Sequence, residues 1–325
     1  MIRQLLAATA FACLALSAQA QSHADYPSHP IRFVLISAPG SGGDVLGRML
    51  ADKMGPILKA SFIPDNRPGA SGAIATETVA KAPPDGYTIG IGGATTHVLL
   101  PASNPRLPYD AVKDFSPIGQ VGTASILMVA TNDFPANNLK ELVALAKKSP
   151  EGLQYASWGA ASTGNFCGEL LNLRAQTRME HVPYKSVTQI QTDMLGGHIK
   201  LAFVDMASGT PMVKSGRLKA IAACTSRSPS LPDVSSYEDE GIDFAGKRMG
   251  ALRWALYAPA GTPKPIMDKL SAALKQVIEM PDVKTRLLDL GISAAFVGGN
   301  ELREMTAADI AAWKQVAKAA NITTN

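Results

Sequence analysis

Two short runs of small residues hold most of the chemistry open to this sequence. Ala38-Pro39-Gly40-Ser41-Gly42-Gly43-Asp44 follows an apolar run at 31–37, and Trp158-Gly159-Ala160-Ala161-Ser162-Thr163-Gly164 follows another at 153–157. Amphipathic spacing resumes directly after each, so each loop stands between a strand end and a helix start. The first N–H groups of a helix lack partners within it and lie at the positive end of its dipole. A loop of glycine and hydroxyl residues at such a point accepts an anion. Two of them facing one another across a cleft would hold a small anion from both sides. Read more plainly, each is a tight strand-to-helix turn.

Other candidates fail on context. Gly241-Ile242-Asp243-Phe244-Ala245-Gly246-Lys247 has the spacing of a phosphate loop, but Arg248 follows where a hydroxyl must hold magnesium. Gly90-Ile91-Gly92-Gly93-Ala94-Thr95 lacks the third glycine of a dinucleotide fingerprint, and no GxSxG elbow presents a hydrolase serine. His97 and His181 could act as general bases, yet no nucleophile of suitable context accompanies them, and the structural reading of each is preferred. Five histidines without HExxH or a CxxC pair leave no zinc site, and no cofactor is expected.

The elements that would position these loops follow from apolar periodicity. Strand-like runs at 31–37, 87–91, 118–121, 126–130, 153–157, 199–204, 218–224 and 252–257 alternate with helical spacing at 45–58, 139–148, 165–175, 265–278 and 301–320. Pro83-Pro84-Asp85-Gly86 marks a turn and Ser149-Pro150 a helix end. Such alternation predicts an α/β chain with mixed, mainly parallel sheets. Open α/β sheets take ligands beyond the carboxyl ends of their strands, where both loops lie.

Composition narrows the class. The 325 residues are 46% hydrophobic and 18% charged, too apolar for a disordered chain. A net charge of +4 with no basic block is a poor nucleic-acid footprint. The length suggests two domains of roughly 150 residues. Residues 1–20 read as a signal peptide: Arg3, an apolar run from Leu5 to Ala18, then the cleavage site Ala18-Gln19-Ala20. At about 14 residues the run is short of the ~20 that cross a bilayer. Ala10-Phe11-Ala12 is a poor lipobox for Cys13. The chain is therefore expected in the periplasm, cut near Ala20. Cys167 and Cys224 remain in an oxidising compartment, and burial as free thiols is the preferred expectation, since the sequence supplies no bridge geometry.

Several runs resemble the receptors of tripartite tricarboxylate transporters, the Bug family. They are Tyr26-Pro27-Ser28-His29-Pro30-Ile31-Arg32, Asn66-Arg67-Pro68-Gly69-Ala70, and Val79-Ala80-Lys81-Ala82-Pro83-Pro84-Asp85-Gly86-Tyr87-Thr88. Leu107-Pro108-Tyr109-Asp110, Lys113-Asp114-Phe115, His181-Val182-Pro183-Tyr184-Lys185 and Leu195-Gly196-Gly197 continue the series. Ser226-Arg227-Ser228-Pro229, Leu231-Pro232-Asp233-Val234 and Ala258-Pro259-Ala260-Gly261-Thr262-Pro263 complete it, in family order over nearly the whole mature chain. The resemblance implies a two-lobed periplasmic-binding-protein fold of the Venus-flytrap kind, type II, with its ligand cleft between the lobes. Lobe 1 would comprise 26–124 and 236–325, and lobe 2 would comprise 125–235. It further implies a monomeric receptor, not an enzyme, that passes a small carboxylate to an integral-membrane permease.

The same resemblance implies the contacts. A carboxylate would be held by Pro39, Gly40, Ser41, Gly42, Gly43 and Asp44 with the neighbouring Ser37. Facing them would be Ser157, Trp158, Gly159, Ala160, Ser162, Thr163 and Asn165, together with Thr95, Thr96, His97 and Asp205. The chain departs from the family at Ile36-Ser37, where Pro-Phe is usual, at Trp158, where a small residue is usual, and at Asn165, where His is common. Arg253-Trp254-Ala255 stands where many members have Trp-Phe-Gly. Trp158 either packs beneath its loop or stacks on an aromatic acid. Arg253 either takes a second carboxylate, making the solute a dicarboxylate or ring acid, or forms an interdomain ion pair with Asp205 or Glu169. A ligand-sensing subunit of a signalling system is the alternative function, and a secreted ester hydrolase a more distant one.

Overall fold

The computed structural model describes residues 25–149, 152–242 and 252–319. The expected signal peptide with its cleavage site, Cys13, and all but the first two residues of the 241–247 motif lie outside them.

Two sheets form the frame. Lobe 1 is built on β1 (Ile31–Leu35), β2 (Phe62–Asn66), β3 (Thr88–Gly93), β4 (Phe115–Ala124), β10 (Leu252–Pro259) and β11 (Ile292–Gly298), in the order β11-β4-β10-β3-β1-β2. Lobe 2 is built on β5 (Ile126–Ala130), β6 (Gln154–Ser157), β7 (Glu180–Pro183), β8 (Leu201–Asp205) and β9 (Lys219–Ala223), in the order β7-β6-β8-β5-β9. The helices are α1 (Gly42–Leu58), α2 (Ala73–Ala80), α3 (Leu100–Ser103), α4 (Leu139–Lys148), α5 (Thr163–Ala175), α6 (Val187–Leu195), α7 (Met206–Lys214), α8 (Lys264–Glu279), α9 (Pro281–Asp289) and α10 (Gly299–Ala319).

Strand–helix alternation overstated the parallel share. Among the described residues β1 pairs in parallel with β2 and β3, as β6 does with β7 and β8, whereas β10, β11 and β5 make only antiparallel pairs. The sheets are mixed because the chain leaves one and enters the next along a nearly continuous extended path, β4 into β5, and such strands run against their neighbours.

Local sequence explains the helices that matter for the site. Leu46, Leu50 and Met54 recur every fourth residue of α1 and are fully buried. Each such side chain contributes about 1.5–3 kcal/mol of burial. In α8 the same stripe is Ile266, Leu270, Leu274 and Val277. Asn138, Ser162, Ser186 and Asp205 cap α4, α5, α6 and α7 through side-chain oxygens.

The crossing between sheets is tied where it happens. Ser125, the residue between β4 and β5, shares a 2.8 Å hydrogen bond with the Thr225 hydroxyl and accepts the Thr225 N–H at 3.2 Å. Cys224 beside it is bonded to Cys167 of α5, with Cα atoms 6.0 Å apart. The expectation of free thiols is thus corrected. Helix α5 lies across the sheet closely enough to bring residues 57 apart in sequence within bonding reach, a proximity that exists only once the lobe is folded. Among the described residues no helix is long and apolar enough to cross a membrane.

Candidate ligand-binding site

A cavity of about 50 Å³ lies between the lobes. Lobe 1 contributes Ile36, Ser37, Ala38 and Ser41 from the first loop, Ser71 and Gly72 from the turn before α2, and Thr95, Arg253 and Trp254. Lobe 2 contributes Trp158, Lys185, Ser186, Val187 and Asp205.

The first loop is braced from behind by Asp44. Its carboxylate accepts Gly40 N–H at 2.9 Å, Arg48 Nε at 2.9 Å and Asn66 Nδ2 at 2.8 Å. Burial pushes its pKa up, but these hydrogen bonds outweigh burial and hold the carboxyl below its ordinary range. Ser41 Oγ donates to Ala38 O at 2.7 Å. Gly43 has no room for a side chain, since a Cβ would lie 2.2 Å from Ser37 Oγ and 2.9 Å from Trp254. Pro39, Gly40, Gly42, Gly43 and Asp44 therefore shape the loop, while Ser37 and Ser41 reach the cavity.

The second loop uses its polar groups on itself. Ser157 Oγ meets His181 Nε2 at 2.7 Å and Ser162 Oγ at 3.0 Å, and it donates to Gly159 O at 3.1 Å. Asn165 accepts Ala161 N–H at 3.0 Å and donates to Tyr155 Oη at 2.9 Å. Trp158 is the member of this loop that lines the cavity; Ser157, Gly159, Ala160, Ser162, Thr163 and Asn165 stand behind it or at the seam.

Several hydrogen bonds among the described residues cross that seam. Gly42 N–H donates to Ser208 Oγ at 2.8 Å, Ser71 Oγ donates to Ala160 O at 2.7 Å, and the hydroxyls of Thr95 and Thr163 lie 2.7 Å apart. The Gly42 amide, read from sequence as an anion donor, is taken by lobe 2. Ser208 Oγ in turn donates to Asp205 Oδ2 at 3.0 Å, and Asp205 also accepts Ser208 N–H at 2.9 Å. Burial pushes the Asp205 pKa up, against these hydrogen bonds.

Thr96 and His97 fall in the core. His97 stacks on Tyr257 with ring centres 3.6 Å apart, and its Nδ1 meets Thr96 Oγ1 at 2.9 Å. Burial first, then the nearby Arg253 charge, lowers its pKa to about 3, so the ring is neutral. Arg253 lines the cavity, but Nη2 donates to Asp309 Oδ2 of α10 at 2.6 Å. The expected interdomain ion pair with Asp205 or Glu169 is thus corrected: Arg253 is ion-paired, but within lobe 1, to a carboxylate of α10. Glu169, one of the partners considered, accepts the Tyr155 hydroxyl at 2.7 Å instead.

Reading the sequence for anion loops missed Ser71, Gly72, Lys185, Ser186, Val187 and Trp254. Two of the family-like runs, Asn66–Ala70 and His181–Lys185, run up to the first two of these and into Lys185, and they were the available signal.

The family model described as "Tripartite tricarboxylate transporter family receptor" matches residues 46–322. A relative from Bordetella bronchiseptica, one of the UPF0065 proteins, is 33% identical over 310 residues, covering 95% of this chain and 91% of its own. The solved periplasmic binding protein BugD is 29% identical with a TM-score of 0.85, covering 92% of this chain and all of its own. Rpa4515 of R. palustris, solved with adipate, is 27% identical with a TM-score of 0.86, covering 92% of this chain and 99% of its own. With two lobes, two mixed sheets and a cavity at the seam between them, the chain has the periplasmic-binding-protein fold and belongs to the tripartite tricarboxylate transporter receptors, the Bug family.

Proposed function

We propose that this chain is a periplasmic receptor that captures a small carboxylate and presents it to the membrane component of a tripartite transporter. The observation that carries the reading is the cavity between the lobes, flanked by a seam that hydrogen bonds from both lobes bridge. A water molecule needs about 10–15 Å³ by this measure, so about 50 Å³ suits a compact solute of a few polar groups. The adipate-bound relative supports a carboxylate. Lobes 26–124 with 236–325 and 125–235 would part at the two crossings, and tighter binding to the closed arrangement would shift the population toward it. The membrane partner would then read the closed surface. Binding alone accounts for the site, since the serine–histidine contact of Ser157 with His181 lies off the cavity, with Ser157 fully buried.

Thermal-shift screening of the ligand-stripped protein against di-, tri- and aromatic carboxylates tests this. A ligand at a hundredfold excess over Kd should stabilise by about 2.7 kcal/mol. A panel in which no carboxylate raises Tm would overturn the proposal.

A further inference from the structure

Among the described residues three ionisable side chains line the interlobe cavity, and two of them are already matched. Arg253 is paired with Asp309, and both side chains are largely buried, at 8% and 16% exposure. Asp205 accepts two hydrogen bonds from Ser208. Lys185 is different: among the described residues its ammonium has no ion pair and no hydrogen bond.

Its position is a separate observation. A groove of about 500 Å³ opens beside the cavity, walled by Ile74, Leu107 and Tyr184. Lys185 and Ser71 are the two residues that line both spaces, so together they form the neck between them. Ser71 is held there by Ala160 O across the seam. The Lys185 backbone is set by the start of α6, where Ser186 Oγ accepts Gln189 N–H at 3.2 Å. Its exposed four-carbon stem leaves the ammonium free to swing toward either space.

We infer that Lys185 supplies the charge that selects the ligand, drawing an anion through the groove and pairing with its carboxylate at the neck of the cavity. Arg253, the cation the sequence offered for that task, already has its charge countered by Asp309. Glu77, which also lines the groove, is paired with Lys81, so Lys185 is the charge left uncompensated at the neck among the described residues. Such a charge raises the local concentration of its counter-ion and speeds capture. Charge-assisted pairing then slows release. The inference rests on the carboxylate reading above and adds which residue provides the counter-charge.

The test is calorimetric titration of the mature protein with succinate, malate, adipate, citrate and benzoate at low and high salt. Wild type is compared with Lys185→Met and Lys185→Arg. For the tightest of these probes, Lys185→Met should weaken binding roughly ten- to a hundredfold, and Lys185→Arg should stay within about threefold. Wild-type affinity should fall with salt, and Lys185→Met should flatten that dependence. The ligand-free melting temperatures should coincide, because the side chain is exposed and unpaired. A Lys185→Met protein that binds as wild type, or weakens while keeping the full salt dependence, overturns the role of Lys185 and leaves the carboxylate reading standing. A wild type that binds none of the five probes overturns both.

Discussion

The two small-residue loops are close to interchangeable in sequence and are used differently in the molecule. Both follow a strand and open a helix. The first sends Ser37, Ala38 and Ser41 into the cavity and is braced from behind by Asp44. The second sends in Trp158 and commits Ser157, Ser162 and Asn165 to an internal network, with Ala160 and Thr163 joined to the opposite lobe. Their helices are anchored differently too. Helix α1 is held by Leu46, Leu50 and Met54, and α5 by the Cys167–Cys224 bond. The lesson is that glycine and hydroxyl content marks where a backbone can turn tightly. Which hydrogen-bonding groups remain for a ligand depends on what packs behind the turn.

The largest expected effect separates the two anchors. Closing a loop of 57 residues stabilises by about 4 kcal/mol in the chain-entropy account. Cys167→Ser with Cys224→Ser should therefore lower Tm by many degrees, and hydrogen exchange should rise in α5 and β9 while α1 keeps its protection. Equal loosening of both lobes would mean that the helices are not independently anchored.

Gly42 comes next. A Cβ there would sit 2.2 Å from Asp205 Oδ1 and 2.6 Å from Ala207 Cβ, both in lobe 2. Gly42→Val should obstruct closure and cost at least about a hundredfold in affinity for a ligand found by screening. If the lobes part as proposed above, the clash is relieved and ligand-free stability should stay near wild type. A variant that closes and binds normally would remove the first loop from the seam.

A smaller effect probes the network behind the second loop. Burial lowers the His181 pKa to about 4, from an ordinary value of 6.5. The unfolded chain therefore binds the proton more readily between those values. The stability this neutral ring contributes is complete above pH 6.5 and is lost as pH falls toward 4. Discounted for partial exposure, the change is on the order of 1 kcal/mol. Denaturant titration from pH 7 to 4 should show a shallower fall in His181→Gln than in wild type; matching slopes would exclude His181 as the source.

Trp158 gives the smallest and sharpest contrast. Ring stacking adds roughly 0.5–1.5 kcal/mol beyond area burial, so Trp158→Ala should weaken an aromatic acid about two- to tenfold more than an aliphatic one. Equal losses would leave Trp158 as a wall without ring preference.

Much of this was legible in the residue order. The run 126–130 reads as a strand and is β5, buried along its whole length; 139–148 reads as a helix between Asn138 and Ser149 and is α4. Ser37, Ser41, Thr95, Trp158, Asp205 and Arg253 were named from sequence and line the cavity. The misses share a cause. Lys185 ends one family-like run and Ser71 directly follows another, but nothing in the residue types says that the fold brings the two to one neck.

From sequence alone follow the alternation of strands and helices, the turn at Pro83–Gly86, the two loops and the family pattern. These depend on period and on contacts within a few residues, and both are written along the chain. Tertiary structure alone decided that Cys167 meets Cys224, that Arg253 belongs to Asp309, that Ser208 takes the Gly42 amide, and that Lys185 is left unpaired among the described residues. Each is a choice among chemically equivalent partners far apart in sequence. A guanidinium pairs with whichever carboxylate the packing of β10 against α10 brings within reach, and that packing is a property of the folded chain.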